Sequence, residues 1–311
     1  MKKLVNTLNL SHEEWLEWRK KGIGGSDASS VVGLNPWRSA VAVYLDKLGE
    51  LEPLEDSEKM RVGRDLEDYV ARRFEGATGK KVRRNNFMMV HDDQEFMVAN
   101  IDREIVGENA LLECKTTGSY GKKDWENGAI PAHYEIQCHH YMAVTGAERC
   151  YIAVLIGNED FKWQVIERDE ETIQALIQIE HDFWHNYVLA KEPPPPDGTE
   201  QYDEILAFKY AKSINQEIPL ERSNIDQDIE RINTIKTLTK ELEAEKKLLE
   251  QTIKKDMAEN EKAVTQNYFI TWKPQTTRRI DTKRLKEEDP DLYEKYSKIT
   301  TSRVLRIKEK E

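Results

Sequence analysis

The chain has 311 residues, 38% of them hydrophobic and 34% charged, and its formal net charge at pH 7 is -11. This composition is typical of a globular protein with a highly charged surface and excludes collagen-like and wholly disordered chains. No apolar run approaches the ~18 residues of a membrane span, and the first residues lack the apolar segment of a secretory signal. Three cysteines are too few for a disulfide framework. We therefore expect a cytoplasmic protein with reduced thiols.

The acidic total does not exclude nucleic acid as a partner, because net charge averages over the whole surface. The segment from Arg72 to Arg84 contains six basic residues and one acidic residue. A basic stretch of this kind is also typical of an ordinary solvated face, so charge alone does not identify a partner.

The N-terminal part of the chain predicts a series of helices. Ser11 followed by Glu14 forms a capping box that opens the first helix. The glycine-rich segment 22–27 ends this helix, and its Ser or Asp caps the next one. Further helices are predicted over 39–47 and 64–74.

Extended and helical segments alternate in the next part of the chain. The turn Gly107-Glu108-Asn109 joins two extended segments as a β-hairpin. The predicted strands cover 87–91, 95–106, 110–116, 150–157 and 163–168, and the predicted helices cover 133–145 and 170–189. This order predicts an α/β fold in which helices flank a central mixed sheet.

Four consecutive prolines at 193–196 favour a stiff polyproline II segment, which no helix or strand crosses. We therefore predict a main domain over 1–192, a linker over 193–198 and a C-terminal appendage over 199–311. The appendage is predicted to contain helices over 225–257 and 282–296 and strands over 267–273 and 302–308. Ile235, Leu242 and Leu249 keep a seven-residue spacing in the long helix, which fits either a short coiled coil or packing against the chain's own domain.

The hairpin carries the residues with the clearest chemical meaning. Because side chains alternate faces along a strand, Glu113 and Lys115 point the same way, while their neighbours enter the core. A turn centred on Glu108 places residue 102 opposite about residue 114. We therefore expect Asp102 to lie beside Glu113 and Lys115 at one edge of the sheet.

Two carboxylates and an amine in this arrangement suit phosphodiester hydrolysis. Mg²⁺ prefers a few carboxylate oxygens plus water, so Asp102, Glu113 and the main-chain carbonyl of Cys114 are candidate ligands. Such a metal acidifies a bound water, and Lys115 can orient that water or stabilise the transition state. The pattern is short, and an exposed strand with an ordinary Glu/Lys pair is the competing interpretation.

Three further stretches add to the hairpin pattern. Glu67 lies near the start of a predicted helix and can face the same metal edge. Tyr134, Gln137 and Tyr141 share one helix face by their i, i+3 and i+7 spacing. Arg19, followed by the segment 24–26 at a helix start, combines a guanidinium, flexible backbone amides and a hydroxyl, which favours phosphate binding.

Together these motifs resemble the phage recombination exonucleases, the lambda-exonuclease and YqaJ-type branch of the PD-(D/E)xK nucleases, over roughly residues 11–190. The resemblance rests on their order: Arg19, Gly24-Gly25-Ser26-Asp27-Ala28, Asn35-Pro36-Trp37, Gly63, Glu67, Asp102, Glu113-x-Lys115, Tyr134 and Gln137. It implies a restriction-endonuclease-like α/β core followed by the helical and small β appendage.

The resemblance also implies a role for each matching residue. The catalytic residues are Asp102, Glu113, Lys115 and Gln137, and the metal ligands are Asp102, Glu113, the Cys114 carbonyl and Glu67. The residues for the 5′-phosphate of the DNA are Arg19, Ser26, Gly25 and Tyr134, and Asn100 and Tyr141 are candidates for further DNA contacts.

The activity that this resemblance implies is 5′-to-3′ degradation of linear double-stranded DNA with Mg²⁺, or with Mn²⁺, and two ions per active site. The resulting 3′ overhangs would serve a RecT- or Beta-like annealing partner, and the lambda branch forms a ring-shaped trimer. Two alternatives stay open. An endonuclease of the same fold would not need a 5′-phosphate anchor, and a non-catalytic DNA-end-binding module would not need the Asp102, Glu113 and Lys115 triad.

Overall fold

A computed structural model describes residues 2–51, 57–299 and 302–308. The chain divides into two compact units, Met1–Leu206 and Ala207–Glu311. The division lies beyond the predicted linker at 193–198, because the residues after the prolines are bonded to the first unit. The hydroxyl of Tyr202 donates to the carbonyl of Pro194 at 3.2 Å, and the side chain of Gln201 accepts from the backbone N–H of Ser39 at 2.9 Å.

The first unit contains eight strands and most of the helices. Its strands are β1 (Lys2–Asn6), β2 (Val82–Arg84), β3 (Phe87–Val90), β4 (Val98–Ala99), β5 (Arg103–Ile105), β6 (Ala110–Thr117), β7 (Arg149–Ile156) and β8 (Asp160–Glu167). Its α-helices in the described residues are α1 (His12–Arg19), α2 (Gly25–Val31), α3 (Ala40–Leu48), α4 (Glu58–Thr78), α5 (Ala132–Thr145) and α6 (Glu170–Phe183), and α7 (Glu200–Lys209) begins in this unit and continues past its last residue, Leu206. A 3₁₀ segment covers Ser119–Gly128, and a π-helical segment covers Trp184–Leu189.

The central sheet has five strands in the order β2-β5-β6-β7-β8. Strand β6 pairs in parallel with β7, whereas the other neighbours are antiparallel, so the predicted mixed sheet is confirmed. The β5–β6 hairpin pairs Arg103 with Leu112, which centres its turn between Gly107 and Glu108 rather than on Glu108. Gly107 adopts a φ of +85°, a conformation that glycine reaches without a Cβ clash.

The extended segment predicted over 95–106 is divided between two sheets. Strand β4 joins a second, three-stranded sheet in the order β1-β3-β4, and β5 joins the central sheet. Strand β1 was not predicted, because its pairing with β3 lies far away in the chain. The residues between β4 and β5 pass from one sheet to the other, and Asp102 lies at this crossing.

Two hydrophobic clusters cover the two faces of the central sheet. On one face, Phe74 and Val70 of α4 pack with Leu112 and Tyr151. The opposite cluster includes Leu111, the neighbour of Leu112, together with residues of α5 and α6. Burying a side chain as large as Phe74 stabilises the fold by about 1.5–3 kcal/mol, so α4 is tightly bound to its face of the sheet.

The second unit confirms the long helix and corrects two other predictions. Helix α8 covers Ile225–Met257, and a short hairpin pairs β9 (Lys262–Val264) with β10 (Phe269–Thr271). The helix predicted over 282–296 is instead two helices, α9 (Thr282–Glu288) and α10 (Pro290–Tyr296), because proline disfavours a helical conformation at the preceding residue. The described residues 302–308 form no strand, contrary to prediction, since they pair with no other strand. Within the described ranges, no helix has the length and apolar composition of a membrane span.

Candidate active site

A cleft of about 530 Å³ opens where the hairpin meets α2, α4 and α5. The structure brings most of the predicted site residues to its walls, although they come from distant parts of the chain. The predicted residues that line it are Arg19, Gly25, Ser26, Glu67, Asn100, Asp102, Glu113, Gln137 and Tyr141.

Asp102 and Glu113 lie on the same side of the hairpin. The backbone N–H of Cys114 donates to Oδ2 of Asp102 at 2.7 Å, which fixes this carboxylate beside strand β6. Burial, followed by the nearby charges of Glu113 and Glu67, raises the pKa of Asp102 well above its ordinary value. The two carboxylates therefore lie close together with little solvent around them, and a bound cation would stabilise their negative charges.

Lys115 completes the cluster from the same face of β6. Its Nζ donates to Oε1 of Glu113 at 2.5 Å and to Oε1 of Gln137 at 3.1 Å. Burial alone lowers the pKa of Lys115, but the carboxylates of Glu113 and Asp102 outweigh this effect and raise it. The amine is therefore cationic at neutral pH and suited to stabilising negative charge rather than to accepting a proton.

Helix α5 supplies the predicted polar face. Nε2 of Gln137 donates to Oε1 of Glu113 at 2.7 Å and to the hydroxyl of Tyr141 at 3.0 Å. The amine of Lys115 lies 4.6 Å from the ring centroid of Tyr134, a cation–π contact. Gln137 and Tyr134 thus hold Lys115 and Glu113 in place.

The donor set fits a hard divalent cation. Oε2 of Glu113 is buried and has no hydrogen-bond partner among the described residues, although its other oxygen has two donors. In the described parts of the chain, no three His, Cys, Asp or Glu side chains form a metal-binding group. Mg²⁺ nevertheless fits two carboxylates, because it commonly keeps several waters and binds substrate phosphates through them.

Glu67 reaches the cleft, but its carboxylate is already paired. Oε1 of Glu67 accepts from Arg103 at 2.5 Å and from Arg84 at 3.4 Å. Arg103 is buried and also contacts Asp68, and sequence reasoning missed it. The position of Arg103 directly after Asp102 in the chain was the sequence feature that could have identified it as a site residue. Binding of a metal by Glu67, like binding by the Cys114 carbonyl, stays a prediction.

Three of the four predicted phosphate-binding residues, Arg19, Gly25 and Ser26, form a separate corner of the cleft, whereas Tyr134 is not among the residues that line it. Nη2 of Arg19 donates to Oγ of Ser26 at 3.2 Å and to Oδ1 of Asp27 at 3.1 Å. Asp27 is fully buried and also pairs with Lys47 at 2.7 Å and Arg38 at 2.8 Å. Asp27 was predicted only as a possible helix cap, and the two additional cations were missed because they come from beyond α2.

We call the group formed by Arg19, Ser26, Asp27, Arg38 and Lys47 the cation corner. It lies directly against α5. A Cβ added to Gly25 would lie 2.5 Å from Cε1 of Tyr141 and 3.0 Å from Cγ of Gln137. Only glycine therefore allows α2 to approach this face of α5. Gly25 belongs to the site because of this close packing, and its predicted contact with phosphate stays a prediction.

The sheet order and the acidic hairpin define the fold as the PD-(D/E)xK, restriction-endonuclease-like class. The structure is similar to a crystal structure of an alkaline exonuclease, LHK-Exo, from Laribacter hongkongensis, with a TM-score of 0.51 and 20% identity, covering 63% of this chain and 98% of that one. A phage related exonuclease from Haemophilus somnus 129PT matches with a TM-score of 0.43 and 14% identity, covering 55% of this chain and 96% of that one.

Sequence comparison gives the family. The chain is 44% identical over 310 residues to the uncharacterized protein YqaJ of Bacillus subtilis (strain 168). This alignment covers 98% of the chain and 97% of the relative. The YqaJ-like viral recombinase domain matches residues 14–148, a range that includes nearly all of α1 and the whole of α5. The chain belongs to the YqaJ family, and the resemblance predicted from its motifs is confirmed.

Proposed function

We propose that this protein is a metal-dependent 5′-to-3′ exonuclease that degrades linear double-stranded DNA and leaves 3′ single-stranded overhangs. The observation that carries the proposal is the convergence of Asp102 and Glu113 in a cleft that also contains Arg19 and Ser26, with the amine of Lys115 bound to Glu113. The first group suits phosphodiester hydrolysis, and the second suits an anion. A separate anchor for a terminal phosphate is useful only to an enzyme that acts at a DNA end.

Asp102 and Glu113 would hold Mg²⁺ or Mn²⁺, with the Cys114 carbonyl and Glu67 as further candidate ligands. When bound, the metal supplies an acidified water and neutralises charge on the reacting phosphate. The cationic Lys115 orients the attacking oxygen or stabilises the charge that develops in the transition state. Gln137 keeps Lys115 and Glu113 in register through its hydrogen bonds to both.

The cation corner provides the anchor for the 5′-phosphate. Arg19, Arg38 and Lys47 carry three positive charges, whereas Asp27 and Asp46 carry two negative charges. The corner therefore keeps an excess of positive charge, and the guanidinium of Arg19 is partly exposed beside the exposed Ser26. This arrangement supports binding of a phosphate between Arg19 and Ser26.

One assay tests the proposal. The protein is incubated with Mg²⁺ and either 5′-phosphorylated linear duplex or closed circular duplex DNA, and released nucleotides and nicked or linearised circles are measured. We expect mononucleotides from the linear DNA and an intact circle. Cutting of the circle would instead identify an endonuclease, and binding without any hydrolysis would identify a DNA-end-binding module.

The resemblance to phage recombination exonucleases also supports two proposals about assembly. We propose a RecT- or Beta-like single-strand annealing protein as partner, because the 3′ overhangs need a protein that pairs them. We further propose a homo-oligomer, a ring trimer by analogy with the lambda branch. Light scattering of the purified protein and co-purification with an annealing protein test these two proposals directly.

A further inference from the structure

An exposed indole occupies the loop between α2 and α3. Trp37 exposes 65% of its surface, and Leu34 in the same loop exposes 47%. Indole rings supply a large apolar face and are enriched where a protein binds a ligand. Neither the hydrolytic residues nor the cation corner explains why this loop presents such a ring to solvent.

The loop holds Trp37 in a defined place. Oδ1 of Asn35 accepts from the backbone N–H groups of Trp37 at 2.9 Å and Arg38 at 3.2 Å. Nε2 of Gln201 donates to the carbonyl of Trp37 at 3.3 Å. A loop backbone held in this way loses little freedom when a ligand binds, so a contact with the indole is not offset by a large cost of ordering the loop.

Two series of contacts connect Trp37 with the two halves of the candidate site. Its ring contacts the ring of His133 edge-on, with the centroids 4.9 Å apart. The ring centroids of His133 and Tyr134 lie 4.0 Å apart, and the amine of Lys115 lies over the ring of Tyr134. In the other direction, the adjacent Arg38 binds Asp27, which binds Arg19. Trp37 is not among the residues that line the cleft, but these contacts connect it with both the hydrolytic centre and the phosphate anchor.

The imidazole beside Trp37 supports the indole from within the protein. Nε2 of His133 is buried and finds no hydrogen-bond partner in the described part of the chain. Burial, and then the charge of Lys115, lowers the pKa of His133, so its ring is neutral at pH 7 and has one donor and one acceptor nitrogen. Because Nε2 is enclosed by protein and the ring is uncharged, His133 packs against the indole and leaves the exposed indole surface to contact a base.

We propose that Trp37 stacks on the base of the 5′-terminal nucleotide, while His133 packs against the indole. The inference rests on the proposed function, in which the terminal phosphate lies at Arg19 and the scissile phosphate lies at Lys115. The terminal nucleoside lies between these two phosphates, and Trp37 is connected to both places. Stacking accepts every base, because each one has an aromatic face, so the contact positions any sequence for cleavage.

The test uses a double-mutant cycle between the ring and the base. Release of the first nucleotide is measured with wild-type protein and Trp37→Ala, on 5′-phosphorylated duplexes that carry either a normal or an abasic 5′-terminal nucleotide. Trp37→Phe keeps an aromatic face, and Leu34→Ala removes an exposed apolar side chain from the same loop without removing a ring. Circular dichroism and thermal melting check that each variant folds.

We expect Trp37→Ala to raise KM between about fivefold and about 150-fold on the normal duplex while kcat changes little, because stacking contributes to binding rather than to the transition state alone. The abasic nucleotide should raise KM similarly for wild type and add nothing for Trp37→Ala. Trp37→Phe and Leu34→Ala should stay near wild type. If the KM increases caused by Trp37→Ala and by the abasic nucleotide simply multiply, the stacking proposal is overturned, but the exonuclease assignment is not affected. If wild-type protein releases no nucleotide from a 5′ end, both proposals are refuted.

Discussion

Asp27→Asn should destabilise the fold strongly, because Asp27 is the buried counter-ion of three cations. Lys47, whose side chain is fully buried, lies 2.7 Å from Oδ2, and Arg38 and Arg19 lie 2.8 Å and 3.1 Å from Oδ1. Removing one partner of a buried ion pair typically costs about 3–5 kcal/mol, since the other charge is left without compensation. We expect a loss of this size in the free energy of unfolding at pH 7.

Urea unfolding, followed by tryptophan fluorescence, measures this loss. Asp46→Asn is the matched control, because Asp46 pairs with Arg38 at 2.7 Å but keeps 29% of its side chain exposed. A partly exposed pair of this kind contributes about 1 kcal/mol or less. If Asp27→Asn costs no more than Asp46→Asn, the view that Asp27 neutralises the buried Lys47 is wrong.

The same contact predicts a pH dependence. Burial raises the pKa of Asp27, but the three neighbouring cations outweigh it and hold this pKa far below the ordinary value of 3.8. A lowered folded-state pKa means that the stabilisation is complete above pH 3.8 and is lost as the pH falls below that value. The difference in unfolding free energy between wild type and Asp27→Asn should therefore be constant near neutral pH and shrink in acid. A difference that instead grows below pH 3.8 would contradict the sign of this linkage.

Three other substitutions test the site. Lys115→Ala should lower kcat by at least about a hundredfold and leave binding of duplex measurable, because the amine acts on the reacting phosphate. Single-turnover rates measure the loss of hydrolysis, and fluorescence anisotropy in EDTA measures duplex binding. An unchanged rate would exclude Lys115 from the mechanism. Arg19→Ala should reduce the preference for 5′-phosphate over 5′-hydroxyl ends, measured as a ratio of kcat/KM, and an unchanged ratio would exclude Arg19 as the anchor. Gly25→Ala should cost about 1–3 kcal/mol of stability and disturb Gln137, because its Cβ would overlap Tyr141; melting curves that match wild type would show that α2 can move away at no cost.

The sequence predicted those parts of the fold that local rules decide. The turn Gly107-Glu108-Asn109 and the alternation along β6 set the hairpin, and the real register differs by one residue from the predicted one. The shared face of Tyr134, Gln137 and Tyr141 follows from helical spacing alone, and the structure confirms the contact of Gln137 with Tyr141. These features depend on residues close together in the chain, so a single sequence contains enough information to place them.

The features that were missed depend on tertiary placement. Lys47 reaches Asp27 from the next helix, and Arg103 reaches Glu67 across 36 positions of the chain. Any of the many charged residues of this chain could have supplied such a partner, and periodicity does not distinguish among them. Strand β1 was missed for the same reason, because it pairs with β3 more than 80 residues later.

The close approach of α2 to α5 at Gly25 has a consequence for the size of the product. Ser26 of the proposed anchor lies on α2 and Gln137 of the proposed centre lies on α5, and at Gly25 no side chain of α2 separates these two helices. Two sites fixed on one rigid frame act as a molecular ruler. If the anchor and the centre act as proposed, a strand whose 5′ end binds the first site presents the same bond to the second in every cycle, and we expect products of uniform length whatever the base sequence.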